Sequence, residues 1–216
     1  MKCYSLNEAR QLAINCVQQY EVHLLNKKLL IIYRDKTSNQ IEYLEVLFLK
    51  KNYQHLTGLE LIDSKGKVIK HQSKNFYRKC KEKKLSNKEI KFKEDGTTNL
   101  KLAALPAISR VNSITKIIGD YNGRRPYLIV DKVIGGVNFC MGLKKVEDGY
   151  APASALLENI KNLTEKPSQV LAIFIKEKDE TIYKTIKHVA KGLNLNKITL
   201  PDKLLKIVSL EEYIEK

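Results

Sequence analysis

Apolar positions set out the elements before any other property of the chain is considered. Ser5 to Glu8 reads as a capping box, in which serine and glutamate satisfy each other's backbone N–H groups. Leu12, Cys16, Tyr20 and Leu24 then recur four residues apart, the single stripe of an amphipathic helix. Two runs rich in β-branched and aromatic residues, 29–34 and 42–49, flank the polar turn KTSNQ and predict a hairpin. Helical spacing returns at Ile69, Phe76 and Cys80, with Lys74, Arg78 and Lys81 on the outer faces. A short strand over 89–93 ends at the turn signal EDG. Pro106 suits a helical first turn, Ile108, Val111, Ile114 and Ile118 supply that helix's stripe, and Gly119 reads as its stop.

The second half is mostly strand. Runs 127–133 and 137–145 flank Gly135-Gly136 and read as a hairpin, and Glu147-Asp148-Gly149 turns the chain into 150–154. A helix over 155–163 leads to a strand over 170–176. The run 181–190 alternates loosely and is read as strand. No internal repeat or low-complexity linker interrupts the chain. The expectation is an N-terminal helix over 1–26 followed by one compact domain over 27–216. Its fold class is α+β, with helices packed against a largely antiparallel β-sheet.

Composition changes this picture in one respect. Apolar residues make up 43% and charged residues 29% of the 216 positions, a globular balance. The formal net charge, however, is +15. Twelve basic residues and only Glu82 and Glu89 as acids fall within 65–93, so that segment carries two thirds of the excess. A field concentrated on one segment attracts polyanions, and nucleic acid is the expected partner. A solvated lysine-rich face is the bland alternative. An anionic membrane surface is a weaker one, and the apolar runs are too short to span a bilayer. The start, MKCYSLNEARQL, has no apolar core of a secretory signal. Cys3, Cys16, Cys80 and Cys140 are widely separated, which supports neither a zinc site nor a disulfide framework. A cytoplasmic protein with free thiols is expected.

Familiar catalytic signatures are missing: no GxxxxGK[ST], no strand–GxGxxG–helix, no HExxH and no GxSxG. The glycine-rich VIGGVNF sits in the hairpin, where its glycines serve the turn. Of the four histidines, His23 and His71 fall on helices and His188 on a late element, all with structural or surface readings. His55 differs, lying in the loop-like YQHLTGL where Gly58 breaks the chain. A histidine so placed can exchange protons near neutral pH. Lys132 in YLIVDKVIGG puts a cation at the end of an apolar strand. Ser154 in YAPASALLENI is read either as a helix N-cap or as a functional hydroxyl.

Taken together, HLTGL, FYRKC, a KL-containing segment, IGDY, YLIVDKVIGGVNFCMGL and YAPASALL resemble one family over roughly 29–191. It is the phage-associated branch of the Barnase–EndoU–colicin–RelE superfamily of small nucleases. The resemblance implies an RNA endonuclease that works without metal or other cofactor. It places the family's histidine on His55, its basic residue on Lys132 and its hydroxyl on Ser154, with Ala155 where leucine is more usual. His55 would act as base or acid, Lys132 would offset phosphorane charge, and Ser154 would hydrogen-bond a non-bridging oxygen. Lys70, Lys74, Arg78 and Lys81 are the expected nucleic-acid contacts, and an antitoxin or immunity protein is an expected partner. Two other classes stay open: a non-catalytic nucleic-acid binder of the same fold, and a mobile-element protein that inhibits a host protein.

Overall fold

The computed structural model describes residues 2–211 and Tyr213. It opens with α1 (Leu6–His23), capped by Ser5, whose Oγ accepts from Glu8 N–H while Glu8 accepts from Ser5 N–H. Then come β1 (Lys27–Arg34), β2 (Ile41–Leu47), α2 (Lys50–Thr57), β3 (Leu59–Leu61), α3 (Ser73–Lys81) and β4 (Ile90–Phe92). Helix α4 (Thr98–Ala104) runs through a 3-10 segment into α5 (Val111–Ile114). The rest comprises β5 (Ile117–Tyr121), β6 (Lys132–Gly135), β7 (Cys140–Val146), β8 (Gly149–Leu156), α6 (Ile160–Leu163), β9 (Thr164–Glu177), β10 (Thr185–Val189) and α7 (Asp202–Leu205).

The expected α+β fold, helices on a largely antiparallel sheet, is overturned by the strand pairing. Strands run in the order β1-β2-β8-β7-β6-β5-β9, and β9 pairs back onto β1, closing a seven-stranded barrel. Its orientation is mixed, because β2 and β8 are parallel where Val46 meets Tyr150 while the other ring pairs are antiparallel. Closure depends on the 14 residues of β9. Its first part pairs with β5 and its second with β1, and β10 adds to it outside the ring. The polar stretch TEKPSQ conceals that first part in the sequence, where only 170–176 reads as strand.

Both faces of β1 are covered, which accounts for its unbroken Leu-Leu-Ile-Ile run. Leu29, Ile31 and Tyr33 join a core with Ala13, Val17 and Tyr20 of α1, while Leu30 and Ile32 meet Phe174, Tyr183, Leu195 and Leu204. A third cluster gathers Val133, Cys140, Leu156, Ile160 and Leu163. Each large side chain fully buried in this way is worth about 1.5–3 kcal/mol. Helices α1, α2 and α3 meet through rings: Tyr20 and Tyr53 centroids are 5.0 Å apart, Tyr53 and Tyr77 5.9 Å. Tyr53 Oη also donates to Ala13 O at 2.6 Å, locking α2 onto α1.

Several local expectations shift. Gly119 lies within β5 rather than ending a helix, and 155–156 complete β8 rather than starting one. Only Lys132 onward of the 127–133 run is strand. Among the described residues no helix is long and apolar enough to cross a membrane.

Candidate active site

Helix α2 has two faces. Tyr53 and Leu56 point into the core, so Lys51 and His55, one turn apart, share the opposite face. The helix ends at Gly58 in the left-handed region, φ +70°. Thus His55 stands in the last turn of a helix, not in the loop that the sequence suggests. Gly58 O accepts from Thr98 Oγ1 at 2.8 Å and from Lys93 N–H at 3.1 Å, which ties the end of β4 and the start of α4 to the end of α2. Those bonds bring Lys93 and Lys101 beside His55.

The fourth wall is β8. Opposite Gly142 stands Ser154, but opposite Leu143 stands Pro152, so Ala153 is the extra residue of a β-bulge. Pro152 brings no backbone N–H to the ladder, and a bulge is where a strand tolerates it. Bulges re-aim side chains and recur beside active sites. Together α2, α4, the bulge and the segment 127–130 enclose a cleft of about 480 Å³. His55, Lys51, Lys93, Asp95, Lys101, Lys144 and Ser154 all line it.

The electrostatics follow from that crowd. Partial desolvation, then the charges of Lys101, Lys93 and Lys51, lower the His55 pKa from 6.5. Its ring has no hydrogen-bond partner among the described residues, and the side chain stays open to solvent at the cleft mouth. Lys101 is only 5% exposed. Burial and the Lys93 charge lower its pKa, against the opposing pull of Asp95, and no hydrogen bond or close ion pair holds its ammonium among the described residues. Burial works to raise Asp95, but hydrogen bonds from Thr97 and Lys93 and the Lys101 charge bring it down to about 2. Ser154 is 3% exposed, and its Oγ finds no hydrogen-bond partner among the described residues.

His55 and Ser154 therefore come together from 99 positions apart, whereas Lys132 does not line the cleft. Strand parity explains the separation. Lys132 shares a face of β6 with Ile134 of the first cluster, while Ser154 shares a face of β8 with Leu156 of the third. Lys132 Nζ instead donates to Asp120 Oδ1 at 2.7 Å across β5 and β6. Burial opposes but does not outweigh that bond and charge, so its pKa is raised. Sequence reasoning missed Lys101, although one signal existed: a lone lysine inside the apolar run LKLAAL.

Of the expected nucleic-acid contacts, Lys74, Arg78 and Lys81 line a second groove with Lys50, His71 and Tyr77; Lys70 does not. Adjacent residues of α2, Lys50 and Lys51, line groove and cleft respectively. Lys81 is paired with Glu21 at 2.5 Å. A larger cavity of about 870 Å³ around Arg110, Ile114, Phe139 and Glu158 is lined by no histidine, lysine or serine, so it lacks this chemistry. Among the described residues, no group of three or more His, Cys, Asp or Glu is placed to hold a metal.

Comparison with known proteins bears on this site. A family model described as phage-Barnase-EndoU-ColicinE5/D-RelE like nuclease4 matches residues 14–192. The chain belongs to that nuclease family, whose substrates are nucleic acids. No curated protein and no solved structure matches it significantly.

Proposed function

We propose that the protein is an endoribonuclease whose catalytic centre is the cleft between α2, α4 and the β8 bulge. The observation that carries this reading is the convergence of His55 on Lys101 and Ser154 in one lysine-lined cleft. RNA supplies its own nucleophile, the 2′-hydroxyl, so the protein need only move two protons and stabilise a crowded phosphate. A histidine with a lowered pKa is neutral at pH 7 and ready to accept the 2′-hydroxyl proton.

As O2′ bonds to phosphorus, the P–O5′ bond breaks, and the departing O5′ takes a proton from Lys101, whose ammonium burial has acidified. Lys93 offsets charge on the phosphorane oxygens, and a preorganised cation in a partly desolvated cleft is worth far more than one in water. The Ser154 hydroxyl, buried in the cleft wall with no partner among the described residues, donates to a non-bridging oxygen when the bulge shifts to uncover it. The products are a 2′,3′-cyclic phosphate and a 5′-hydroxyl. With lysines providing the positive charge, the proposed chemistry requires no metal. The groove of Lys74 and Arg78 continues the phosphate track beyond the cleft.

The test is cleavage of a short RNA in EDTA, with the ends of the products identified and a 2′-deoxy substitution at the scissile position. Chelator-resistant cleavage to a cyclic phosphate, abolished by the deoxy substitution and by His55→Gln, is the expected result. RNA that is bound but left intact would move the reading to binding without catalysis.

A further inference from the structure

The segment 122–131 links β5 to β6 along one rim of the cleft, and its side chains alternate. Leu128 and Val130 pack against the third core cluster. Tyr127 and Ile129, between and beside them, are 72% and 80% exposed while lining the cleft. Exposure on this scale is costly for large apolar side chains, and the backbone holds it in place. Tyr121 Oη accepts from Leu128 N–H at 3.1 Å and lies within hydrogen-bond reach of Pro126 O at 2.9 Å. Further along, Asp131 N–H donates to Leu143 O at 2.8 Å, and Asp131 O accepts from Tyr121 N–H at 3.1 Å. The segment is thus tied on both sides of Tyr127, and those backbone bonds fix the alternation that turns its side chain away from the core.

We propose that this segment is a nucleobase-holding arm, with Tyr127 as the face on which an unpaired base stacks and Ile129 as its apolar flank. Charge argues for that occupant: four lysines and one aspartate line the cleft below the arm. A phosphate backbone lying over those lysines would bring its bases against the rim. Arg125, its guanidinium 5.8 Å from the centre of the Tyr127 ring, adds a cation at the same edge. Stacking on a tyrosine is tolerant of base identity but needs a base free of its pairing partner. The arm therefore selects unpaired stretches. The inference rests on the cleft being the nucleic-acid site, and the experiment separates the two.

Fluorescence anisotropy with a short 2′-O-methyl RNA, which binds but lacks the nucleophile, reads the arm without cleavage. The same oligonucleotide annealed to its complement is the duplex probe. Wild type is expected to prefer the single strand, Tyr127→Ala to lose about 5- to 150-fold of single-strand affinity, the range for stacking on one base, and Tyr127→Phe to stay near wild type. Tyr127 touches little of the core, so the alanine variant should melt with wild type. Undiminished affinity in Tyr127→Ala, or equal wild-type affinity for duplex, overturns the arm while leaving the catalytic reading intact; the exposed rim would then fit a protein partner. A wild type that neither binds this probe nor cleaves its 2′-hydroxyl counterpart removes both, whereas one that binds without cleaving removes the catalytic reading alone.

Discussion

Gly58 and Thr98 are in contact so close that a single added carbon would not fit: a Cβ on Gly58 would stand 2.9 Å from Thr98 Cα and 3.2 Å from Lys101 Cδ. Glycine at this position lets α2 end and α4 begin against the same backbone carbonyl, and this brings His55 and Lys101 together. Gly58→Ala meets both the steric penalty and a left-handed φ of +70°. We expect it to cost about 1–3 kcal/mol, read as a lower urea midpoint at unchanged m-value. Cleavage should fall even where the protein remains folded, because α4 must retreat and take Lys101 with it.

The His55 environment fixes the sign of the pH dependence. Its folded pKa lies below 6.5, so with His55 as the base the acidic limb of kcat/KM should fall below 6.5 as well. Lys101→Met removes one of the charges that hold it down. The limb should move up toward 6.5, and the rate should drop by about 10²–10⁴-fold if Lys101 is the acid. Linkage gives a second readout. Between the two pKa values the unfolded state binds more protons, so the His55 contribution is intact above about 6.5 and is lost as pH falls through the folded value. His55→Gln should erase that part of the stability profile. An acidic limb that stays put in Lys101→Met would mean that the Lys101 charge does not act on the group titrating there.

Local pattern revealed the elements and not their closure. The capping box at Ser5, the first hairpin and the Gly135-Gly136 turn are signals carried within a few residues, and the structure has them. Ring closure depends on β9 pairing with strands some fifty and 140 positions earlier, which no local pattern encodes. The site divides in the same way. His55 and Ser154 were singled out because short motifs surround them, and both line the cleft, although the folded chain puts one at a helix end and the other in a bulged strand. The partner of the Lys132 ammonium was not legible, since the register of β5 against β6 decides it.

That register makes Lys132 a sharp test. It faces Asp120 across the strands, with side chains 22% and 75% exposed, a setting where an ion pair is worth about 0–1 kcal/mol. Lys132→Met should therefore lower stability by no more than about 1 kcal/mol and should cleave RNA far better than Lys101→Met. A folded Lys132→Met protein with cleavage as poor as that of Lys101→Met would return the catalytic cation to Lys132 and overturn the cleft assignment.

Ser154 separates stability from function most cleanly. A buried hydroxyl with no partner spends its desolvation cost without return, so Ser154→Ala should leave stability unchanged or raise it by up to about 1 kcal/mol. If the hydroxyl meets a phosphate oxygen in the transition state, the same change should cut kcat by about 10²–10³-fold, the cost of losing one such donor. Thermal melts and single-turnover cleavage read the two effects independently. A variant more stable than wild type and just as fast would show that the hydroxyl never meets the substrate. One that is more stable but slow would mark Ser154 as a polar group kept for the reaction at the expense of the fold.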